Sequence, residues 1–224
     1  MREVPMNAPR TPNGSGRRAE LLALACKLFA ERGFKSTTVR DIADAAGILS
    51  GSLYHHFDSK ESMADEILAG FLDELFGRYR EIVAQRLGPR KTLEAIVVAS
   101  FESIHKHHNA VAIYQSEARH LSQFPRFAYI DELNAEFRTL WTSILEEGVA
   151  SGAFRSDIDV EVTYRFIRDT VWVAVRWYSP EGSLTADDVA DQYLGILLDG
   201  IAARRSRGVT ARRRLTTQGV SDVR

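Results

Sequence analysis

Two capping signals and a glycine confine residues 38–60 to a pair of very short helices, and no other feature of the chain restricts its fold as much. The stretch from Thr37 to Glu61 reads TTVRDIADAAGILSGSLYHHFDSKE. Thr38 and Asp41 form an S/T-x-x-D/E capping box, so a helix starts at Val39. Gly47 ends it within about two turns. A second short helix is expected from Ser50 to about Phe57, with Leu53 and Phe57 turned inward at i, i+4. Ser52, Tyr54 and His55 are left facing outward. Asp58 or Ser59 then caps a long helix from about Lys60 to Arg86, which Leu87-Gly88-Pro89 breaks. Ahead of the pair, Leu21, Ala25, Leu28 and Phe29 form one apolar stripe, and Gly33 stops that helix.

Two short helices joined by a glycine-bearing turn and packed on a first helix make a helix-turn-helix, whose second helix enters the DNA major groove. Ser50, Gly51 and Ser52 are small enough for a close backbone approach. Tyr54, His55 and Lys60 are expected to share the exposed face and donate to phosphate oxygens. Thr38 marks a helix N-terminus whose backbone N–H groups suit phosphate. Arg40 reaches a phosphate or is simply solvated, and Tyr54 and His56 have packing as their plainer role. The set holds few Arg or Asn side chains that read base edges bidentately, so phosphate contacts and a steep salt dependence are expected. One such helix binds weakly. A two-fold dimer presents two, matched to a palindrome with half-sites about 34–36 Å apart or a multiple of that.

The rest of the chain is helical in pattern, with segments at roughly 91–107, 110–122, 126–151, 160–178 and 185–203 and no alternating strand or fixed repeat. Charge is uneven along the 224 residues. Residues 1–62 carry nine Lys/Arg against seven Asp/Glu, 63–203 thirteen against twenty-two, and 204–224 seven against one. The middle is therefore an acidic body that repels polyanions, whereas the ends can meet them. Four regions follow: a disordered arm at 1–16, a DNA-binding module at 17–62, a helical body at 63–203 and a disordered basic tail at 204–224. The single cysteine, Cys26, cannot form an internal bridge, and no apolar run reaches the ~18 residues a membrane span needs. A cytoplasmic protein without membrane contact is expected.

Within the body, Arg168, Trp172 and Arg176 fall at i, i+4, i+8 on one expected helix face, about 12 Å end to end. A Trp between two arginines can stack on a flat ring while the cations hold anionic or carbonyl groups. The alternatives are ion pairs, such as Asp169 with Arg165 or arginines across a dimer seam, and a plain core role for Trp172. Tyr114, Phe101, Phe127, Phe137 and Trp141 line a pocket or fill the core. Val189, Tyr193, Ile196, Leu197, Gly200 and Ile201 form an apolar stripe that pairs two copies or packs internally. In HKHHN at 105–109, His105 and His108 share a face while His107 points elsewhere, and nothing nearby completes a metal site. There is no Gly-rich phosphate loop, G-x-S-x-G elbow or H-E-x-x-H. Neither an enzyme nor a cofactor is expected.

The segments ALACKLFAERGFKSTTVRDIADAAG and ILSGSLYHHFDSKESM, within residues 17–63, resemble the DNA-binding region of the TetR family of bacterial repressors. The resemblance implies an all-α fold, with an N-terminal three-helix helix-turn-helix domain and a C-terminal helical domain for ligand binding and dimerisation. It implies a homodimer on double-stranded operator DNA, paired through the helices at 160–178 and 185–203. VRDIADAAGILSGSLYHHF, FPRFAYI and YRFIRDTVWVAVRWY further resemble the KstR-type subgroup, repressors of cholesterol-ring catabolism. That implies release by an acyl-CoA effector, the CoA thioester of a steroid-ring remnant, an indanedione propionate. Two other functions stay open: a repressor of an efflux or fatty-acid operon sensing a drug or fatty acyl-CoA, and a helical acyl-CoA carrier or enzyme.

Overall fold

The computed structural model describes residues 14–201. The basic tail and the arm up to residue 13 lie outside the described residues. Among the described residues nine α-helices follow in order: α1 Gly14–Arg32, α2 Val39–Ala45, α3 Ser50–Leu53, α4 Lys60–Ala84, α5 Pro89–Lys106, α6 His108–Leu121, α7 Tyr129–Ala150, α8 Val160–Trp172 and α9 Ala186–Ile201. Two 3₁₀ turns, Pro125–Phe127 and Val173–Arg176, lead into α7 and out of α8. No strand occurs among the described residues, and no helix is long and apolar enough to cross a membrane.

The caps behave as the side-chain chemistry requires. Thr38 Oγ1 accepts from the Asp41 N–H at 3.1 Å, and Asp41 Oδ2 accepts from the Thr38 N–H at 2.7 Å. Ser59, not Asp58, caps α4. Gly33 and Gly47 sit at φ +83° and +66°, the left-handed region in which a Cβ is strained. Two boundaries in the N-terminal module differ from expectation. α1 starts at Gly14, inside the expected arm. α3 is one turn long rather than two, because beyond Leu53 the N–H groups of His55 and His56 bond three residues back, to Ser52 and Leu53, which tightens the chain into a turn.

α4 is the spine. Met63, Ala64, Ile67, Leu68, Phe71, Leu72, Leu75, Phe76, Tyr79 and Ile82 bury one face along its full length, so the helix belongs to both the N-terminal module and the body. Burial of each large apolar side chain contributes roughly 1.5–3 kcal/mol before conformational entropy is subtracted. The buried Tyr79 hydroxyl lies 2.6 Å from Ser100 Oγ, which donates to the Ile96 carbonyl at 2.7 Å, so these two hydroxyls are partnered, whereas Trp141 Nε1 beside them is buried without a partner among the described residues. Gly148 of α7 admits the ring of Phe154: a Cβ there would stand 1.9 Å from Phe154 Cδ2.

The expected helix at 160–178 ends early, at Trp172. The chain is drawn off its path by Tyr178, whose hydroxyl lies 2.7 Å from His105 Nδ1 and whose carbonyl accepts from His108 Nε2 at 3.0 Å. The HKHHN run thus ties the α5–α6 junction to the end of α8. His107 points instead to Glu74 of α4, at 3.1 Å. No group of three or more His, Cys, Asp or Glu suited to a metal occurs among the described residues.

Candidate functional site

The N-terminal module presents Thr38, Arg40, Gly51, Tyr54 and His55 exposed, with Ser50 and Ser52 half-buried beside them. A Cβ on Gly51 would meet nothing within 4 Å, so the head of α3 is open to an approaching surface. Arg40 extends into solvent, 3.6 Å from Asp44, a pair too exposed to restrain it. Thr38 serves first as the cap of α2, and its hydroxyl also donates to Asp41 Oδ2 at 2.6 Å. These contacts hold the Asp41 carboxyl below its usual range.

Lys60 does not stand free on the face with Tyr54 and His55. Its Nζ donates to the carbonyls of Phe34 at 2.8 Å and Thr37 at 2.9 Å, and lies 4.2 Å from the centre of the Phe34 ring. It locks the α1–α2 turn, together with the buried Thr37, whose hydroxyl donates to Gly33 O at 2.9 Å. The sequence offered the lysine as a free cation because its partners are backbone carbonyls, which leave no trace in residue type. One residue of this face was missed. Leu49, at the N-cap of α3, is 80% exposed. An apolar side chain there matches a thymine methyl in the major groove.

Besides the shared spine of α4, contacts from α1 and the turn after it bind this module to the body. Arg18 forks onto Glu66 of α4, with its guanidinium 4.4 Å from the Phe57 ring. α6 packs along α1. From α6, Glu117 Oε1 accepts the Phe34 N–H at 3.2 Å, just beyond the C-terminus of α1.

The body holds a cleft between α6, α7 and α8 in two parts. The inner part is a cavity of about 50 Å³ lined by Phe71, Leu75, Phe76, Phe137 and Trp172 among others. The outer part, about 720 Å³, carries Arg119, Arg138 and Arg168, of which Arg138 pairs with Glu161 at 2.9 Å and Arg168 with Asp169; Asp131 also lines it. Tyr114, Gln115, Asn134 and Arg168 line both and form the threshold. The Tyr114 hydroxyl donates to Asn134 Oδ1 at 2.5 Å, joining α6 to α7 across it. Arg168 stands at the mouth, paired with Asp169 at 2.7 Å and 5.6 Å from the centre of the Tyr164 ring.

Of the eight candidate pocket residues, Phe127 is fully buried and lines neither part, while Arg168, Trp172, Tyr114 and Phe137 meet here. Arg176 does not, because the α-helix ends at Trp172 and the 3₁₀ turn carries it to an exposed position off the Arg168 face. Arg165 pairs with Glu161 rather than with Asp169. Phe101 packs on Tyr193, with ring centres 5.6 Å apart, and Trp141 on Tyr79 and Phe137, so both are core. Phe76, Asn134 and Arg138 went unread, since they face the cleft from helices whose patterns signal only packing.

The expected pairing stripe on α9 divides. Val189 and Ile201 are buried in the chain's own core, and Tyr193 and Leu197 are half-buried, because α9 lies against α5. Ile196 is 78% exposed and Gly200 is open. α8 adds an outward apolar row, Val162 and Phe166 at 69% exposed, continued past the helix by Val173 and by Trp177 at 60%. Tyr164, Ile167, Val171 and Trp172 bury the other side of the segment. Thr170 Oγ1 and Tyr193 OH, 3.0 Å apart, tie α8 to α9. A monomer seldom leaves so much large apolar surface on two adjoining helices.

Residues 21–67 match the family model described as bacterial regulatory proteins, tetR family, and residues 86–201 match the tetracyclin repressor-like C-terminal domain. The HTH-type transcriptional repressor KstR2 of Rhodococcus jostii is 66% identical over 200 residues, spanning 89% of this chain and 98% of that protein. The solved ketosteroid transcriptional regulator KstR2 of Mycobacterium tuberculosis is 55% identical, with a TM-score of 0.82 over 87% of this chain and 98% of that one. AibR, solved with isovaleryl coenzyme A and operator DNA, shares the fold at 23% identity, with a TM-score of 0.70 over 80% of this chain and 97% of that one. The helix-turn-helix module and the helical body are thus each matched in sequence and in fold: this chain belongs to the TetR family of bacterial regulatory proteins.

Proposed function

We propose that the protein is a cytoplasmic, homodimeric transcriptional repressor of steroid-ring catabolism genes, released from a palindromic operator by the CoA thioester of a steroid-ring remnant. The two-part cleft carries this reading. The aromatic lining of the inner cavity suits a fused apolar ring once α6 and α7 part, and an outer cleft with three arginines suits the phosphates of coenzyme A. Relatives named KstR2 and ketosteroid regulator support the ligand class. Neither a cofactor nor a catalytic step is needed.

Tyr54, His55, Ser52, Gly51, Ser50, Arg40 and Leu49 meet DNA, with Thr38 shaping the start of α2 and Lys60 holding the turn behind it. Phe166, Val173, Trp177, Ile196 and Gly200 pair two copies. Release follows the path of α6. A ring entering between α6 and α7 displaces α6, which lies along α1 and holds the Phe34 N–H through Glu117. The recognition helices of the dimer then lose their spacing on the operator. The ligand must bind that state more tightly, since equal affinity for both shifts nothing.

The test is a gel shift with DNA from upstream of the protein's own gene, at fixed salt, titrated with free CoA, a fatty acyl-CoA and a steroid-ring acyl-CoA. Release by the steroid thioester alone is expected. Release by the fatty acyl-CoA instead would move the protein to a fatty-acid operon. Turnover of a thioester without any DNA shift would replace the repressor with an enzyme. In Trp172→Leu the DNA shift persists and the ligand response is blunted.

A further inference from the structure

The inner cavity, at about 50 Å³, is far below the roughly 300–1,000 Å³ of ordinary small-molecule pockets. A ring that enters it has to part the threshold first, and the bond across the threshold is Tyr114 to Asn134. The two partners are not equally placed to lose it. Asn134 is exposed, so its amide is rehydrated as soon as the helices separate. Tyr114 is packed against the core, with its ring 6.1 Å from that of Phe71. Burial pushes its phenol up to about 12, so at neutral pH it remains a hydrogen-bond donor. Once parted from Asn134, that donor faces the incoming ligand.

We propose that Tyr114 sets ligand specificity: it exchanges Asn134 for a carbonyl oxygen on the acyl ring and so selects a ring ketone over a plain hydrocarbon ring or chain. This rests on the acyl-thioester reading above. A saturated ring or fatty chain breaks the Tyr114–Asn134 bond and returns nothing, leaving a buried hydroxyl orphaned. A ketone restores the bond inside the cleft. Arg168, the other strong donor at the threshold, is engaged with Asp169 at the mouth. That pair leaves Tyr114 as the donor set free when the threshold parts.

The experiment is calorimetric titration of the full-length protein with a ring-ketone acyl-CoA and with its deoxy analogue, in which a methylene replaces the ketone. The wild type is expected to favour the ketone about tenfold, one hydrogen bond's worth. In Tyr114→Phe the ratio falls to about one, because only the donor is lost. In Asn134→Ala both thioesters bind severalfold more tightly with the ratio kept, because the threshold is already open and Tyr114 still awaits an acceptor. A wild-type ratio near one, an undiminished ratio in Tyr114→Phe, or weaker binding of both by Asn134→Ala would overturn the specificity role while leaving the repressor intact. Binding of neither thioester by the wild type would remove the proposal and the acyl-thioester reading together. Should Tyr114→Phe fail to fold, the Asn134→Ala titrations decide alone.

Discussion

Phe166→Glu tests the pairing surface with the least ambiguity, because the residue contributes little to the fold of its own chain. Phe166 is 69% exposed on α8. Full burial of a phenylalanine is worth roughly 1.5–3 kcal/mol, so covering the exposed part gives roughly 1–2 kcal/mol per subunit. In the proposed two-fold dimer the residue enters the interface twice, which makes roughly 2–4 kcal/mol per dimer. At about 1.4 kcal/mol per tenfold, the dimer dissociation constant should rise roughly 30- to 1,000-fold. The buried carboxylate adds to this, so the range is a lower bound. Sedimentation equilibrium reads the constant directly, and far-UV circular dichroism shows that the monomer keeps its helices. Operator affinity should fall with it, since a single recognition helix binds weakly. A dissociation constant within about twofold of wild type would refute the assignment, given that a centrally buried aromatic ordinarily costs more than 1 kcal/mol to lose.

Other substitutions probe other links. Tyr54→Ala should weaken operator binding about tenfold, by loss of an exposed hydroxyl contact, while the dimer persists; unchanged affinity in fluorescence anisotropy removes Tyr54 from the DNA face. Gly148→Ala should destabilise the fold by at least about 1 kcal/mol in urea unfolding, although glycine to alanine in a helix normally stabilises, because the new Cβ meets the Phe154 ring; a stabilised variant would show that the ring has room to move. The Asp41 carboxyl is depressed by the Thr38 hydroxyl and N–H, so its contribution is full above the unfolded-state value of about 3.9 and is lost as pH falls through the lower folded value. The stability gap between wild type and Asp41→Asn should therefore shrink as pH drops from about 7 to about 3, and a constant gap would mean the carboxylate does not matter. Glu117→Ala should leave ligand affinity near wild type and blunt operator release; release at unchanged ligand concentration would take α6 out of the path.

The N-terminal module was the most legible part of the chain because its signals are local. A capping box, two positive-φ glycines and short apolar spacings mark boundaries that no distant contact overrides. The length of α3 escaped for the opposite reason: Leu53 and Phe57 keep helical spacing whether the residues between them form a helix or a turn. Lys60 was misplaced because backbone carbonyls at Phe34 and Thr37 took its charge. In the body, periodicity shows that a helix has an apolar face but not which neighbour covers it. The stripe of α9 therefore divided between its own core and the outside, and Phe166 and Trp177 of the α8 segment were not singled out as pairing residues. The cleft was half legible. Arg168 and Trp172 lie one turn apart on a continuous helix, whereas Arg176 depended on that helix continuing past Trp172, which the ties from His105 and His108 to Tyr178 prevent.

The measurement that bears most directly on a ligand-released repressor is the affinity of the steroid-ring acyl-CoA for the protein with and without saturating operator DNA. Linkage requires the two effects to be equal: whatever factor the thioester removes from operator affinity, the operator must remove from thioester affinity. Weaker thioester binding by the operator complex, by the same factor that release experiments give, is the expected result. Equal affinity in the two titrations would contradict it, because a ligand that cannot tell the two states apart cannot release the DNA.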